Sequence, residues 1–285
     1  MNVILVSTGV FQEYILTNMR QLLKLGHQSI YVITEWHFFD RFSEFDTDFI
    51  HLISVDTLDD VYEYANNCKM NKEFRDGFWV ATSSRFFYIY ALMVRDNLLD
   101  VIHIENDVLL YYNCNILKSR LDRQKIYLPF DSYSRSIASI VYIPEHSLLK
   151  SALDQYNYNA NDMQNFSNIQ ALVPGLIDQF PIYRPLLSHT SEQNNVCTNF
   201  DRFNFIFDAA AIGQYLGGVD PRNLARPSDS RGFINETCVI KYDKCSFEWA
   251  NGNDGIVRPI AVTDSGVRVP IFNLHIHSKR LDQFC

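Results

Sequence analysis

The stretch Val101-Ile102-His103-Ile104-Glu105-Asn106-Asp107-Val108 decides how this chain is read. Val101 to Ile104 has the pattern of a short buried strand, and the run then turns abruptly acidic. Glu105 and Asp107 stand two apart, so an extended backbone directs both carboxylates to one side. Two carboxylates at the carboxyl end of a strand suit a hard divalent cation. Such an ion takes part of its shell from protein and leaves the rest to water and phosphate oxygens. Alone, an acid-x-acid triplet is an ordinary entry into a surface turn. Its position raises it, because ligands of open α/β sheets bind beyond the carboxyl ends of the strands. The triplet therefore implies an enzyme that handles a nucleoside diphosphate.

Upstream, strands and helices alternate. Val3 to Val6 is a continuous apolar run ended by Ser7-Thr8-Gly9. Ile15, Met19, Leu22 and Leu23 follow at helical spacing, with Gly26 placed to end that helix. Ile30 to Ile33 and His51 to Val55 read as further strands, the latter followed by Asp56-Thr57 as a helix cap. Ser83 or Ser84 is expected to cap an aromatic helix that carries Phe86, Phe87, Tyr90, Leu92, Met93 and Val94 into Val101. This succession predicts an α/β fold with a mostly parallel sheet.

Downstream the order changes. Strands are expected at Ile126 to Phe130, Ile140 to Ile143, Phe205 to Phe207, Thr237 to Tyr242, Gly255 to Val262 and Val267 to Ile276. A helix is expected from Glu145, and a mobile polar loop over Ser188 to Asn199. This half reads as mixed α+β. With no linker and no repeat, residues 1–285 are expected to form one domain with two lobes. These are a nucleotide-binding half (1–110) and an acceptor-side half that completes the metal site (111–285).

The bulk numbers agree. The 285 residues are 47% hydrophobic and 20% charged, enough for a sizeable core and too few charges for a disordered chain. A net charge of -8 argues against a nucleic-acid partner, and a phosphate-bearing substrate in such a field needs local cations or a metal. No apolar run reaches the length of a membrane span, and no basic n-region or cleavage site follows Met1, so a cytoplasmic location is expected. Six scattered cysteines without a CxxC pair read as free thiols.

Other residues offer chemistry. His275 and His277 share a strand face that Lys279 continues, so an imidazole can complete a metal shell and the ammonium can pair with phosphate. Hydrogen-bonded histidines at a strand end are the plainer alternative. Asp208 ends the aromatic strand Phe205 to Phe207 ahead of Ala209-Ala210-Ala211, which makes it a candidate for a buried functional carboxylate. Thr8 and Gly9 end the first strand, where a nucleobase can be held. Arg85 can reach a phosphate or the acidic triplet. Asp254, in Asn251-Gly252-Asn253-Asp254-Gly255, is first a turn residue and second a site residue.

Ser84-Arg85-Phe86-Phe87 leading a helix, then Val101 to Leu109 with its acidic triplet, resembles the GT-A class of nucleotide-sugar glycosyltransferases. The chain also resembles small soluble transferases of bacteria and large DNA viruses. The resemblance implies a "DxD" site in which Glu105, Asn106 and Asp107 hold Mn²⁺ or Mg²⁺ on the diphosphate, with Asp107 the direct ligand. It implies that His275-Ile276-His277-Ser278-Lys279 completes the shell and binds diphosphate, although the Gly and Pro of the glycogenin-like His-x-Gly-x-x-Lys-Pro form are missing. It further implies a nucleotide-sugar donor, UDP in preference, and a glycan or glycoprotein acceptor. Asp208, then Asp254 and Glu236, are the carboxylates expected to serve as general base in an inverting reaction. The alternatives are a metal-dependent nucleotidyltransferase or phosphohydrolase, and a carbohydrate-binding module on the same fold.

Overall fold

The computed structural model describes residues 1–45, 48–75, 77–223, 230–263 and 265–285. The first half is laid down as expected: β1 (Asn2–Ser7), α1 (Tyr14–Lys24), β2 (Ile30–Thr34), β3 (Ile50–Ser54), α2 (Tyr64–Asn67), α3 (Phe78–Asp96) and β4 (Val101–Ile104). The four strands are parallel and lie in the order β3-β2-β1-β4. The chain thus winds outward from β1 and returns to its other side. The crevice at the carboxyl ends of β1 and β4 is the topological switch point of the sheet.

Side chains alternate across these strands. Val3, Leu5, Ile102 and Ile104 pack with Ile15, Met19 and Leu22 of α1. Ile4, Ile33 and Val101 pack on the other face with Phe86, Phe87, Leu92 and Met93 of α3. All are essentially inaccessible to solvent, and burial of each large apolar side chain contributes about 1.5–3 kcal/mol. Gly26 adopts φ 79° just past α1, as a helix-ending glycine should.

Next come β5 (Val108–Leu110), β6 (Ile126–Ser132), β7 (Arg135–Ser136), β8 (Ile140–Ile143), α4 (His146–Leu153), α5 (Asp162–Leu172) and β9 (Ile177–Phe180). The antiparallel pairs β4–β8 and β8–β6 extend the first sheet, and β7 and β9 pair with β6. The remainder comprises α6 (Ser191–Asn195), α7 (Phe200–Phe203), β10 (Ile206–Phe207), α8 (Ile212–Gly217), β11 (Ser246–Asn251), β12 (Val257–Val262) and β13 (Arg268–His275). These strands build a second sheet, β10-β13-β12-β11, with β5 paired to the C-terminal end of β13, beyond the stretch that pairs with β12. Glu105 to Asp107 is therefore the turn by which the chain leaves one sheet and enters the other.

Four local expectations are corrected. Helix α3 begins at Phe78 after Gly77, not at Ser83 or Ser84, because nothing between Phe78 and Ser84 breaks a helix. Asp56-Thr57 lies in a 3-10 turn and caps no helix. Ser188 to Asn199 contains α6, whose Thr190 and Gln193 form a reciprocal capping box. Thr237 to Tyr242 forms no strand: Lys241 curls back to donate to the carbonyls of Asn235, Glu236 and Cys238. Cys68, Cys114, Cys197, Cys238 and Cys285 are free thiols, and no helix of the described residues is long and apolar enough to cross a membrane.

Two buried histidines shape the response to acid. His103 donates Nδ1–H to the Ile4 carbonyl at 2.9 Å, inside the β1–β4 seam. Burial, reinforced by Arg85, pushes its pKa down to about 3. Burial also lowers His27 to about 4. Both folded values lie below the unfolded value of 6.5, so below that pH the unfolded chain binds more protons than the native one. Stability should therefore fall as pH drops from 6.5 towards 4, by up to about 1.4 kcal/mol per pH unit for each histidine. Urea denaturation across this range should show the slope, and His103→Gln should reduce it even though the variant is less stable at pH 7.

Candidate functional site

The antiparallel pairing of β13 with β5 sets His275 opposite Val108, and the Ile276 amide donates to the Asp107 carbonyl at 2.8 Å. That register brings the second motif to the first. His275 Nε2 stands 3.1 Å from Glu105 Oε2 and 3.2 Å from Asp107 Oδ2. Among the described residues, Glu105, Asp107 and His275 form a group whose ligand atoms lie within 4.8 Å of one another. Lys279, at φ 63° in the turn after β13, places its ammonium on Asp107 Oδ2.

Asn106 points the other way out of the turn, which the Val108 amide closes on the Glu105 carbonyl at 3.0 Å. Its Nδ2 donates to the Val6 carbonyl at 2.9 Å and to Gln12 Oε1 at 2.8 Å, tying the acidic turn to the end of β1. Asn18 of α1 donates to the carbonyls of Asn106 and Val108, at 3.1 and 2.9 Å. The turn is thus held by side-chain amides on one side while its carboxylates project from the other.

Asp208 is fully buried. Its Oδ1 accepts the amides of Ala211 and Ile212, each at 2.8 Å, and its Oδ2 accepts those of Gly213 at 2.8 Å and His275 at 2.9 Å. Four donors fill the lone pairs of both oxygens, so Asp208, the first candidate for general base, stands in this structure as an anchor of the backbone. It fastens the start of α8 to the end of β13 and so fixes the backbone that carries His275. Gly213 permits this contact, since a β-carbon there would collide with the His275 carbonyl.

Arg85, 7% exposed, lies between two carboxylates. Nη2 donates to Asp162 Oδ2 at 2.7 Å and Nη1 to Glu105 Oε1. Charge here is mutually dependent. Burial alone would raise the pKa of Asp107, but His275 and Lys279 hold it well below the usual carboxylate range. Burial alone would lower His275, but Asp107 and Glu105 carry it above its ordinary value. Burial, and then the neighbouring His275, press His277 well below, and its Nδ1 meets Gln214 Nε2 at 3.0 Å. An amide nitrogen can only donate, so Gln214 donates and His277 Nδ1 accepts.

These groups line a cleft of about 470 Å³. Thr8 lines it too. Gly9 stands beside it at φ 84°, with its amide on Glu35 Oε1 at 2.6 Å. The other two expected bases do not face it. Asp254 sits in the β11–β12 turn, half exposed, in an ion pair with Arg258 at 2.5 Å, and Glu236 is an exposed loop residue. Sequence reading missed the cleft residues Tyr14, Asp162, Gln214, Asp220 and Arg222. Arg222 grips Asp220 at 2.6 Å, and the run Gly217-Gly218-Val219-Asp220-Pro221-Arg222 carried that signal. Asp162 had no comparable mark: an acid after Asn161 reads as an ordinary helix start.

No family model matches the chain, and no curated protein matches it. Solved structures that match in part include mouse xyloside xylosyltransferase 1, at 12% identity over 63% of this chain and 84% of that one, with a TM-score of 0.43. The glycosyltransferase GlyE of Streptococcus pneumoniae matches at 11% identity over 63% and 45%, with a TM-score of 0.40. A cytidylyltransferase of Leptospira borgpetersenii matches at 10% identity over 71% and 83%, also with a TM-score of 0.40. Likenesses this distant assign neither family nor activity.

The Asp208 anchor has a direct test. Asp208→Asn turns an amide group towards backbone donors and should cost about 2–4 kcal/mol, and Gly213→Ala about 1–3 kcal/mol. Chemical denaturation should show both losses. The Asn273 amide resonance, on the strand that holds His275, should shift in each variant by nuclear magnetic resonance.

Proposed function

We propose that the protein is a divalent-metal-dependent glycosyltransferase that moves a sugar from a nucleoside diphosphate sugar to an acceptor hydroxyl of a glycan or glycoprotein. One observation carries this reading: two carboxylates and an imidazole converge at the switch-point crevice between β1 and β4, with Arg85 and Lys279 beside them. Two oxygens and one nitrogen suit Mn²⁺, or Mg²⁺ with water replacing the weaker imidazole bond. The charge balance supports it. Among the described residues, Arg75, Arg85, Arg135, Arg222 and Lys279 line the cleft against Glu105, Asp107, Asp162 and Asp220. Those side chains come close to neutralising one another, so a diphosphate needs the additional charge of a metal.

In this reading Glu105, Asp107 and His275 hold the ion. When bound, it neutralises charge developing on the diphosphate leaving group. Lys279 is within reach of the same oxygens and adds a second cation. Arg222 supplies another from the loop after α8. Thr8 and Gly9, at the end of β1, border the base and ribose. His277, neutral and held by Gln214, lies beside His275 with ring centroids 4.2 Å apart. It is assigned to the wall of the cleft, and His275 to the metal. UDP is the preferred nucleotide on the strength of the sequence resemblance alone.

Thermal shift with UDP, GDP and CMP, each with and without Mn²⁺, is the test. One nucleoside diphosphate should stabilise the protein only when metal is present. Asp107→Ala should weaken that binding by about 100-fold, the upper scale for groups around a metal. A chain that no nucleotide stabilises in Mn²⁺ is not a transferase of this kind. Release of pyrophosphate from a nucleoside triphosphate, with no nucleoside diphosphate formed from sugar nucleotides, would make it a nucleotidyltransferase.

A further inference from the structure

We infer that Asp162 is a positioning residue for the metal site, acting through Arg85 to keep one oxygen of Glu105 free for the ion. The inference rests on the metal reading above and goes beyond it, since Asp162 pairs with Arg85 and not with the proposed ligands.

Arg85 is a planar fork able to bind one carboxylate with two parallel hydrogen bonds. Here the fork is divided. Nη2 serves Asp162 Oδ2 at 2.7 Å, with the Ala138 carbonyl at 3.4 Å, and Nη1 serves Glu105 Oε1. Glu105 therefore spends one oxygen on Arg85 and presents the other, Oε2, to His275 at 3.1 Å. The division depends on Asp162. That residue is 4% exposed and begins α5, whose N-cap Asn161 accepts the Gln164 amide through its side chain. The aligned peptides of α5 and the Arg85 charge both favour a carboxylate there.

Arg85 is mostly buried, with the Phe86 ring centre 5.0 Å from the guanidinium carbon, so losing that partner leaves its Nη2 little room except towards Glu105 and the Ala138 carbonyl. Glu105 is already held by Nη1, and the freed Nη2 is then available to the same carboxylate. A two-point clamp on Glu105 draws Oε2 away from His275 and Asp107. Glutamate, with three side-chain torsions and a place in a turn, is the ligand most easily re-aimed in this way. The groups that orient metal ligands commonly govern affinity by about 10–100-fold.

The experiment is a double-mutant cycle read by Mn²⁺ binding alone, through the electron paramagnetic resonance of free Mn²⁺, with no nucleotide or acceptor present. Asp162→Asn, nearly isosteric, should weaken Mn²⁺ about 10–100-fold. In an Arg85→Gln background the same change should alter affinity less than about twofold, because the route through Arg85 is already cut. Asp162→Ser, small and suited to a helix start, is the second variant if Asp162→Asn does not fold, and circular dichroism checks each fold. Equal weakening in both backgrounds, or none in the wild-type background, would overturn the inference while leaving the metal site standing. A separate titration with sugar nucleotide in Mn²⁺, in which Asp162→Asn loses donor binding while its Mn²⁺ affinity is intact, would also overturn it. Absence of Mn²⁺ binding by the wild type would sink the metal reading and this inference together.

Discussion

The Asp208 carboxylate is the interaction on which the rest of the site depends. It holds four backbone amides from three places: the residues entering α8, Gly213 within it, and His275 at the end of β13. A buried charge without an ionic partner is costly, and only complete hydrogen bonding offsets that cost. Because the offset requires all four amides together, α8 and β13 cannot shift independently. His275 thereby keeps its place opposite Val108, and Lys279 its turn above Asp107.

A second buried charge, Arg85, does for the acidic turn what Asp208 does for the histidine strand. It reaches from α3 across the switch point, with Glu105 on one nitrogen and Asp162 on the other. Asn106 and Asn18 hold the same turn from behind. The three side-chain atoms proposed to hold the ion are thus fixed by groups outside that set. Preorganisation of this kind is what allows a site to bind an ion without reordering its side chains.

Much of the first half was legible in the sequence. Val3 to Val6 and Ile30 to Ile33 are continuous apolar runs, and Val101 to Ile104 is broken only by His103; strands covered on both faces have that pattern. The second half was less legible because its strands are short, half exposed or paired at long range. Strand β11 alternates poorly and buries little, β10 has two residues, and α6 hides in a polar stretch until its capping box is recognised. The surroundings of the three candidate bases were not legible for one reason: sequence shows that a residue is acidic but not which way its oxygens face. Asp208 turned inward to amides, Asp254 paired with Arg258, and Glu236 stayed at the surface.

The sequence by itself determined the α/β class, the alternation that buries the first sheet, and the identity of the two motifs, since these follow from periodicity and local chemistry. Only the tertiary structure decided that the motifs meet. Asp107 and Lys279 are 172 residues apart, and no local pattern encodes the β13–β5 register that joins them. That register depends on long-range packing and on buried hydrogen bonds such as those of Asp208, whose partners are backbone groups that every residue type except proline provides.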